Sequence, residues 1–248
     1  MRTVVFDLDG TLADTSADLL AAANACFVEL GHAAPLGVQD KLTAFLGGRA
    51  MLRLGFDRLG VVWGEEDITR EYPRLLATYA DVLDRETQLY PGAVQAVQDL
   101  RALGFATAIC TNKPEGLAVE LVKRLGIAPL FGALVGADTF AVRKPDPVPY
   151  RAAVERAGGA VARSFLIGDT KTDHDTARAA GVPIVMVSFG PEGHGVARLN
   201  PDALCRAINQ ISELNLDFIS PYPRQEAKTI AEKLIQPLLH WSWMSTVV

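Results

Sequence analysis

The spacing of apolar residues changes character near residue 89, so the two stretches on either side predict different architecture. Thr3-Val-Val-Phe-Asp7 is β-branched and aromatic, as suits a short buried strand, and Gly10 follows at a position for a tight turn. Leu19, Ala23, Phe27 and Leu30 then recur at helical spacing and share one face. Thr15 and Asp18 have the spacing of a capping box at the start of that helix. Asp14 is a further candidate cap, and Gly31 is placed to stop the helix. From there to about residue 88 the pattern stays helical, with no convincing alternation.

Leu89-Tyr90-Pro91-Gly92 is a break, after which helices alternate with short apolar runs. The pattern predicts a helix at 92–103, a strand at 105–110, and a helix carrying Leu117, Leu121 and Leu125 that stops at Gly126. A weak strand at 133–136, a helix around 148–157, a strand at 164–167, a helix at 173–180 ended by Gly181, and a strand at 184–187 follow. Such alternation implies an α/β fold, a Rossmann-like doubly wound parallel sheet core covered on both faces. Residues 1–14 and 89–212 are expected to form that core. Residues 15–88 interrupt its first strand–helix connection as an inserted α-helical cap beside the carboxyl ends of the strands. Residues 213–248 read as a C-terminal helical tail. Ser220-Pro-Tyr-Pro223 is its linker, and Ile230, Leu234 and Leu238 share a helix face ahead of Trp241 and Trp243. That tail is expected to pack on the core or on another subunit.

Composition narrows the class of partner. The 248 residues are 49% hydrophobic and 21% charged, ordinary for a soluble enzyme with a sizeable core, and the net charge of −5 offers no basic face to nucleic acid or anionic membrane. An anionic ligand must then be drawn by a local device. Cys26, Cys110 and Cys205 are too few and too scattered for a disulfide framework or a zinc site, so reduced thiols and a cytoplasmic location are expected. The N-terminus lacks the apolar run of a signal peptide, and no stretch is long and apolar enough to span a bilayer. A monomer or homodimer acting on a small anionic metabolite is the expectation.

The polar residues that follow the strands carry the chemistry. Asp7 and Asp9 leave the first strand, with Gly10 and Thr11 behind them, and Thr111-Asn112-Lys113 leaves the second. Lys144-Pro-Asp-Pro147 lies after the third, and Gly168-Asp169-Thr170, with Asp173 close behind, leaves the fourth. In a parallel sheet these groups converge on one rim. Crowding Asp7, Asp9 and Asp169 is costly, since two unit charges about 4 Å apart interact by roughly 4 kcal/mol at an effective dielectric of 20. A hard divalent ion with oxygen ligands, Mg²⁺ above all, answers that repulsion and can share itself with a phosphate. Lys144 and the Thr111 hydroxyl then supply a cation and a donor for phosphate oxygens. A P-loop of the Gly-x-x-x-x-Gly-Lys type and a His-Glu-x-x-His zinc motif are both absent.

Asp7-Leu-Asp-Gly-Thr11, Thr111, Lys144 and Gly168-Asp169 with Asp173 resemble the haloacid dehalogenase superfamily in its phosphatase branch. The resemblance implies that Asp7 is the nucleophile that becomes an aspartyl-phosphate, and that Asp9 is first general acid and then general base. It implies that Asp7, the Asp9 main-chain carbonyl and Asp169 hold Mg²⁺, with Asp173 binding through water or bracing them from behind. Thr11, Thr111, Asn112 and Lys144 are expected at the phosphate. A dehalogenase has no leaving oxygen to protonate, so an aspartate at position 9 points to phosphoryl transfer. Phe6–Thr15 and Gly136–Pro147 are similar to the phosphoglycolate phosphatases, which implies hydrolysis of 2-phosphoglycolate to glycolate and phosphate. In the cap, Gly47-Gly48-Arg49 is the loop expected to reach the site, with Arg49 placed to pair with a substrate carboxylate. Lys113 and Arg143 border the site and are read as shaping its field. A phosphohexose mutase of the same superfamily, or a phosphatase for pyrophosphate or sugar phosphates, shares the same core residues and stays open.

Overall fold

The computed structural model describes residues 1–213. Strand β1 (Arg2–Phe6) is followed by the short strand β2 (Ala13–Asp14) and then by four helices: α1 (Ser16–Glu29), α2 (Lys41–Phe45), α3 (Gly48–Leu59) and α4 (Glu65–Val82). Strand β3 (Gln88–Leu89) closes this insertion. The chain then runs through α5 (Ala93–Ala102), β4 (Phe105–Cys110), α6 (Glu115–Arg124), β5 (Ala133–Val135), α7 (Pro147–Arg156), β6 (Ser164–Gly168), α8 (Lys171–Ala180), β7 (Ile184–Val187) and β8 (Ala203–Cys205).

Six strands form one sheet in the order β5-β4-β1-β6-β7-β8, with every neighbouring pair parallel. The chain builds outward from β1 on one side, through β4 and β5, and then returns to β6 on the other. Ligands of open parallel sheets bind outside the carboxyl ends of the strands near such a reversal. Helices on both faces bury the strands, which is why they read as apolar runs and not as alternating ones. All six residues of β4 are buried, and the Thr107 hydroxyl within it is satisfied by the Leu130 carbonyl. Strands β2, β3 and β8 go beyond the elements the apolar pattern predicts: at two or three residues each is too short to show a period.

The insertion leaves and rejoins the sheet domain through adjacent strands. β2 and β3 pair antiparallel, Ala13 with Leu89 and Asp14 with Gln88. Within the insertion, Phe27 of α1 meets Phe56 of α3 edge to face at a centroid distance of 5.1 Å. A Cβ at Gly55 would lie 2.2 Å from the Phe27 ring, so this contact depends on glycine.

The expected capping box at the start of α1 does not form. Thr15 makes no cap hydrogen bond, and its hydroxyl donates instead to Asp9 Oδ1 at 2.7 Å. Asp18 is 1% exposed and accepts from the Glu86 and Thr87 backbone N–H groups and from the Thr87 hydroxyl. A buried carboxylate needs several donors, and the chain after α4 supplies more than the first turn of its own helix could. Asp14 keeps a local role: its Oδ1 accepts from the Ser16 N–H and hydroxyl. No helix among the described residues is long and apolar enough to cross a membrane. The tail helix and the two tryptophans expected beyond residue 213 lie outside the described residues.

Candidate active site

Each strand that meets the central crevice ends on a residue of the site. Asp7 follows β1 directly and is fastened by its backbone N–H to the Ile167 carbonyl at 2.9 Å. Thr111 follows β4, Asp169 follows β6, and Lys144 enters from the loop ahead of α7. All four side chains are buried. One carboxylate oxygen each from Asp7, Asp169 and Asp173 lie within 4.8 Å of one another.

Two devices hold this crowd together. The Lys144 ammonium sits 3.0 Å from Asp7 Oδ1 and 2.6 Å from Asp173 Oδ1. Asp173 spends its other oxygen on the Thr170 N–H and hydroxyl, so it both caps α8 and braces Lys144. The second device is close backbone approach. A Cβ at Gly10, where φ is +86°, would lie 2.3 Å from Asp169 Oδ2, and one at Gly168 would lie 2.4 Å from the Asp173 side chain.

Burial dominates the electrostatics. It pushes the Asp7 carboxyl up from its ordinary 3.8 to about 7, against the pull of Lys144 and with added push from Asp173 and Asp9. Asp169 is raised well above the usual carboxylate range by burial, then by Asp173 and Asp7. Burial alone would depress the Lys144 ammonium, but Asp173 and Asp7 outweigh it and hold the group firmly protonated.

The donor set fits a hard divalent cation. Thr11 satisfies Asp169 Oδ1 at 2.9 Å, yet Asp169 Oδ2 is buried and accepts no hydrogen bond, and Asp7 Oδ1 meets only the unaligned Lys144 ammonium. Buried carboxylate oxygens without donors are costly unless a cation takes them. Stability is therefore linked to pH and metal. Without a divalent ion, Asp7 binds a proton in the folded protein that it lacks when unfolded, throughout the window from about 3.8 to about 7. Stability should fall as pH rises through that window. Adding Mg²⁺ should raise the melting temperature more at pH 8 than at pH 5, measured against EDTA-treated protein. An equal or larger rise at pH 5 would refute the assignment.

Asp9 stands apart from this group. Its carboxylate accepts from the Thr15 hydroxyl and from Lys113 Nζ, at 2.8 Å to Oδ1 and 3.1 Å to Oδ2. The third carboxylate in the close cluster is thus that of Asp173, while Asp9, its side chain engaged elsewhere, has its main-chain carbonyl to offer a metal. Lys113 borders the cavity as expected and is also buried: it is 5% exposed, with its ammonium 4.6 Å from the Tyr79 ring centroid on α4. The Thr111 hydroxyl accepts from the Lys113 N–H at 3.1 Å, which leaves its own proton free. Asn112 donates to the Lys144 carbonyl at 3.0 Å and so fastens the loop that carries the lysine.

A cavity of about 460 Å³ opens over these residues, between the strand ends and the inserted helices. Asp7, Asp9, Thr111, Asn112 and Lys144 line it from the sheet side, and Gly47, Gly48, Arg49 and one face of α4 from the other. Thr11 and Asp169 are not among its lining residues, and the Thr11 hydroxyl is spent on Asp169 Oδ1. The α4 residues concerned are Tyr72, Leu75, Leu76 and Tyr79, a helical spacing that could have been read from the sequence as a ligand-facing stripe. Arg49 is present as expected. Its guanidinium rests 4.6 Å from the Tyr72 ring centroid, and Nη1 donates to the Thr69 hydroxyl at 3.3 Å. Among the described residues, no histidine lines the cavity.

Residues 4–187 match the family described as haloacid dehalogenase-like hydrolase. A phosphoglycolate phosphatase of Agrobacterium fabrum is 39% identical over 202 residues, covering 81% of this chain and 86% of its own. One from Mesorhizobium japonicum is 37% identical, covering 81% and 88%. In fold, the chain is similar to a crystal structure of a "predicted phosphoglycolate phosphatase" from Haemophilus somnus. The TM-score is 0.76 at 22% identity, covering 86% of this chain and 97% of that one.

Proposed function

Because the chain belongs to the haloacid dehalogenase-like hydrolase family, we propose that it is a Mg²⁺-dependent phosphatase that cleaves 2-phosphoglycolate through an aspartyl-phosphate on Asp7. The observation that carries this reading is the buried Asp7 carboxylate, faced by Lys144 at 3.0 Å and grouped with two further carboxylates at the floor of a cavity. Asp7, Asp169 and the Asp9 carbonyl, with Asp173 behind, would hold the ion, which supplies charge neutralisation at the phosphate oxygens.

The protein's own groups perform the transfer. A carboxylate oxygen of Asp7 forms a bond to phosphorus as the ester P–O bond breaks, and Asp9 gives its proton to the departing glycolate oxygen. Asp9 then takes a proton from water, whose oxygen bonds to phosphorus as the bond to Asp7 breaks. Phosphate leaves and the carboxylate is regenerated. Lys144 and the free Thr111 proton steady the phosphoryl oxygens as charge shifts among them. The buried, unpaired cysteines suit a reducing cytoplasmic compartment.

The substrate is supported by the relatives, which carry the name phosphoglycolate phosphatase, and by the cations around the cavity. Phosphate release from 2-phosphoglycolate should exceed that from ethyl phosphate, its analogue without the carboxylate, by roughly 100-fold in kcat/KM, the size of one good charged contact. Equal rates on the two esters, faster release from pyrophosphate or sugar phosphates, or isomerisation of a sugar phosphate without release would each refute the assignment.

A further inference from the structure

We propose that Lys113, and not Arg49, reads the carboxylate of the substrate; the inference rests on the proposed phosphoglycolate activity. Five cations line the cavity: Arg49, Arg53, Lys113, Arg143 and Lys144. Lys144 is committed to Asp7 and Asp173, and Arg53 to Glu65 through two bonds of 2.7 Å. Arg49 is held against α4 by Tyr72 and Thr69, and Arg143 is exposed. Among the described residues, Lys113 is the one buried cavity cation not committed to two carboxylates. An ammonium has three donors; the Asp9 carboxylate takes at most two of them, and the ammonium otherwise faces only Tyr79.

Reach favours the same residue. The P–O–C–C chain of a two-carbon acid puts its carboxyl carbon roughly 4 Å from phosphorus, by ordinary bond lengths. Lys113 is bonded to Asp9, two residues beyond the nucleophile. Arg49 approaches only from the inserted helices. Desolvated between a carboxylate and an aromatic ring, the Lys113 charge also acts through less water than an exposed guanidinium.

The contact has a consequence for Asp9. Lys113 and Thr15 together hold the Asp9 carboxylate away from the Asp7 cluster. An ammonium shared with the substrate carboxylate grips Asp9 less, leaving an oxygen of Asp9 to turn toward the ester oxygen. Recognition of the acid end and release of the acid–base residue then occur in one event, and an ester without the carboxylate loses both.

The experiment compares 2-phosphoglycolate with ethyl phosphate in the Mg²⁺-loaded wild-type protein and in Lys113→Met, with Arg49→Ala as the competing variant. Lys113→Met should lower the preference for 2-phosphoglycolate over ethyl phosphate, read as the ratio of their kcat/KM values, by about 30-fold or more. Equal losses on both esters would mean that Lys113 merely positions Asp9, and would overturn the inference. So would a preference that survives in Lys113→Met and collapses in Arg49→Ala. Should the methionine variant not fold, Lys113→Gln carries the same readout. A wild-type protein with no preference between the esters would instead refute the substrate itself, and this inference with it.

Discussion

Asp7→Asn should lower kcat for every phosphate ester by a factor on the order of 10⁴ to 10⁶, the range seen when a covalent nucleophile is removed. The amide keeps the shape and cannot attack phosphorus. The fold should survive, and metal-free protein should become more stable at pH 8. There the Asp7 carboxyl, pushed up to about 7 by burial, is charged at a cost that asparagine does not carry. Phosphate release and thermal melts on the same preparation test both halves. Residual turnover above about 1% of wild type would remove the covalent mechanism, as that is far more than loss of a nucleophile leaves. A collapse in stability would mean that Asp7 is structural.

Lys144→Met should abolish activity as well, but with the opposite effect on stability. The ammonium is the shared partner of Asp7 and of the fully buried Asp173, and its removal leaves two carboxylates facing each other without a cation. Breaking a buried ion pair costs roughly 3–5 kcal/mol. For a protein of this size that is a fall in melting temperature on the order of 10 °C. The deficit should be smaller at pH 5 than at pH 8, because the orphaned carboxylates can then be neutralised by protonation. A melting temperature unchanged at both pH values would show that Lys144 does not hold this cluster together. The two variants together separate chemistry from scaffolding: both are inactive, yet they shift metal-free stability in opposite directions.

Much of this arrangement was legible in the chain. The strands that carry Asp7, Thr111 and Asp169 are apolar runs because both faces of the sheet are covered, and polar residues stand at their carboxyl ends because the crevice is there. Neighbouring residues mislead where a side chain has a near and a distant option. Thr15 and Asp18 have the spacing of a capping box but bond to Asp9 and to residues 86–87. Lys113 borders the site as its position implies, but its burial against Asp9, 104 residues away in sequence, is not visible in the chain. Nor is the contact of Asp173 with Lys144, 29 residues away.

The sequence by itself determined which elements form and which reactive residues stand at their ends, because apolar period, turn residues and strand termini are properties of neighbouring residues. Only the tertiary structure decided the other pairings of charge: Lys144 with Asp173, Lys113 with Asp9, Asp18 with the chain leaving α4. A buried charge takes whichever partner the fold brings within about 3 Å, and that choice depends on segments distant in the chain.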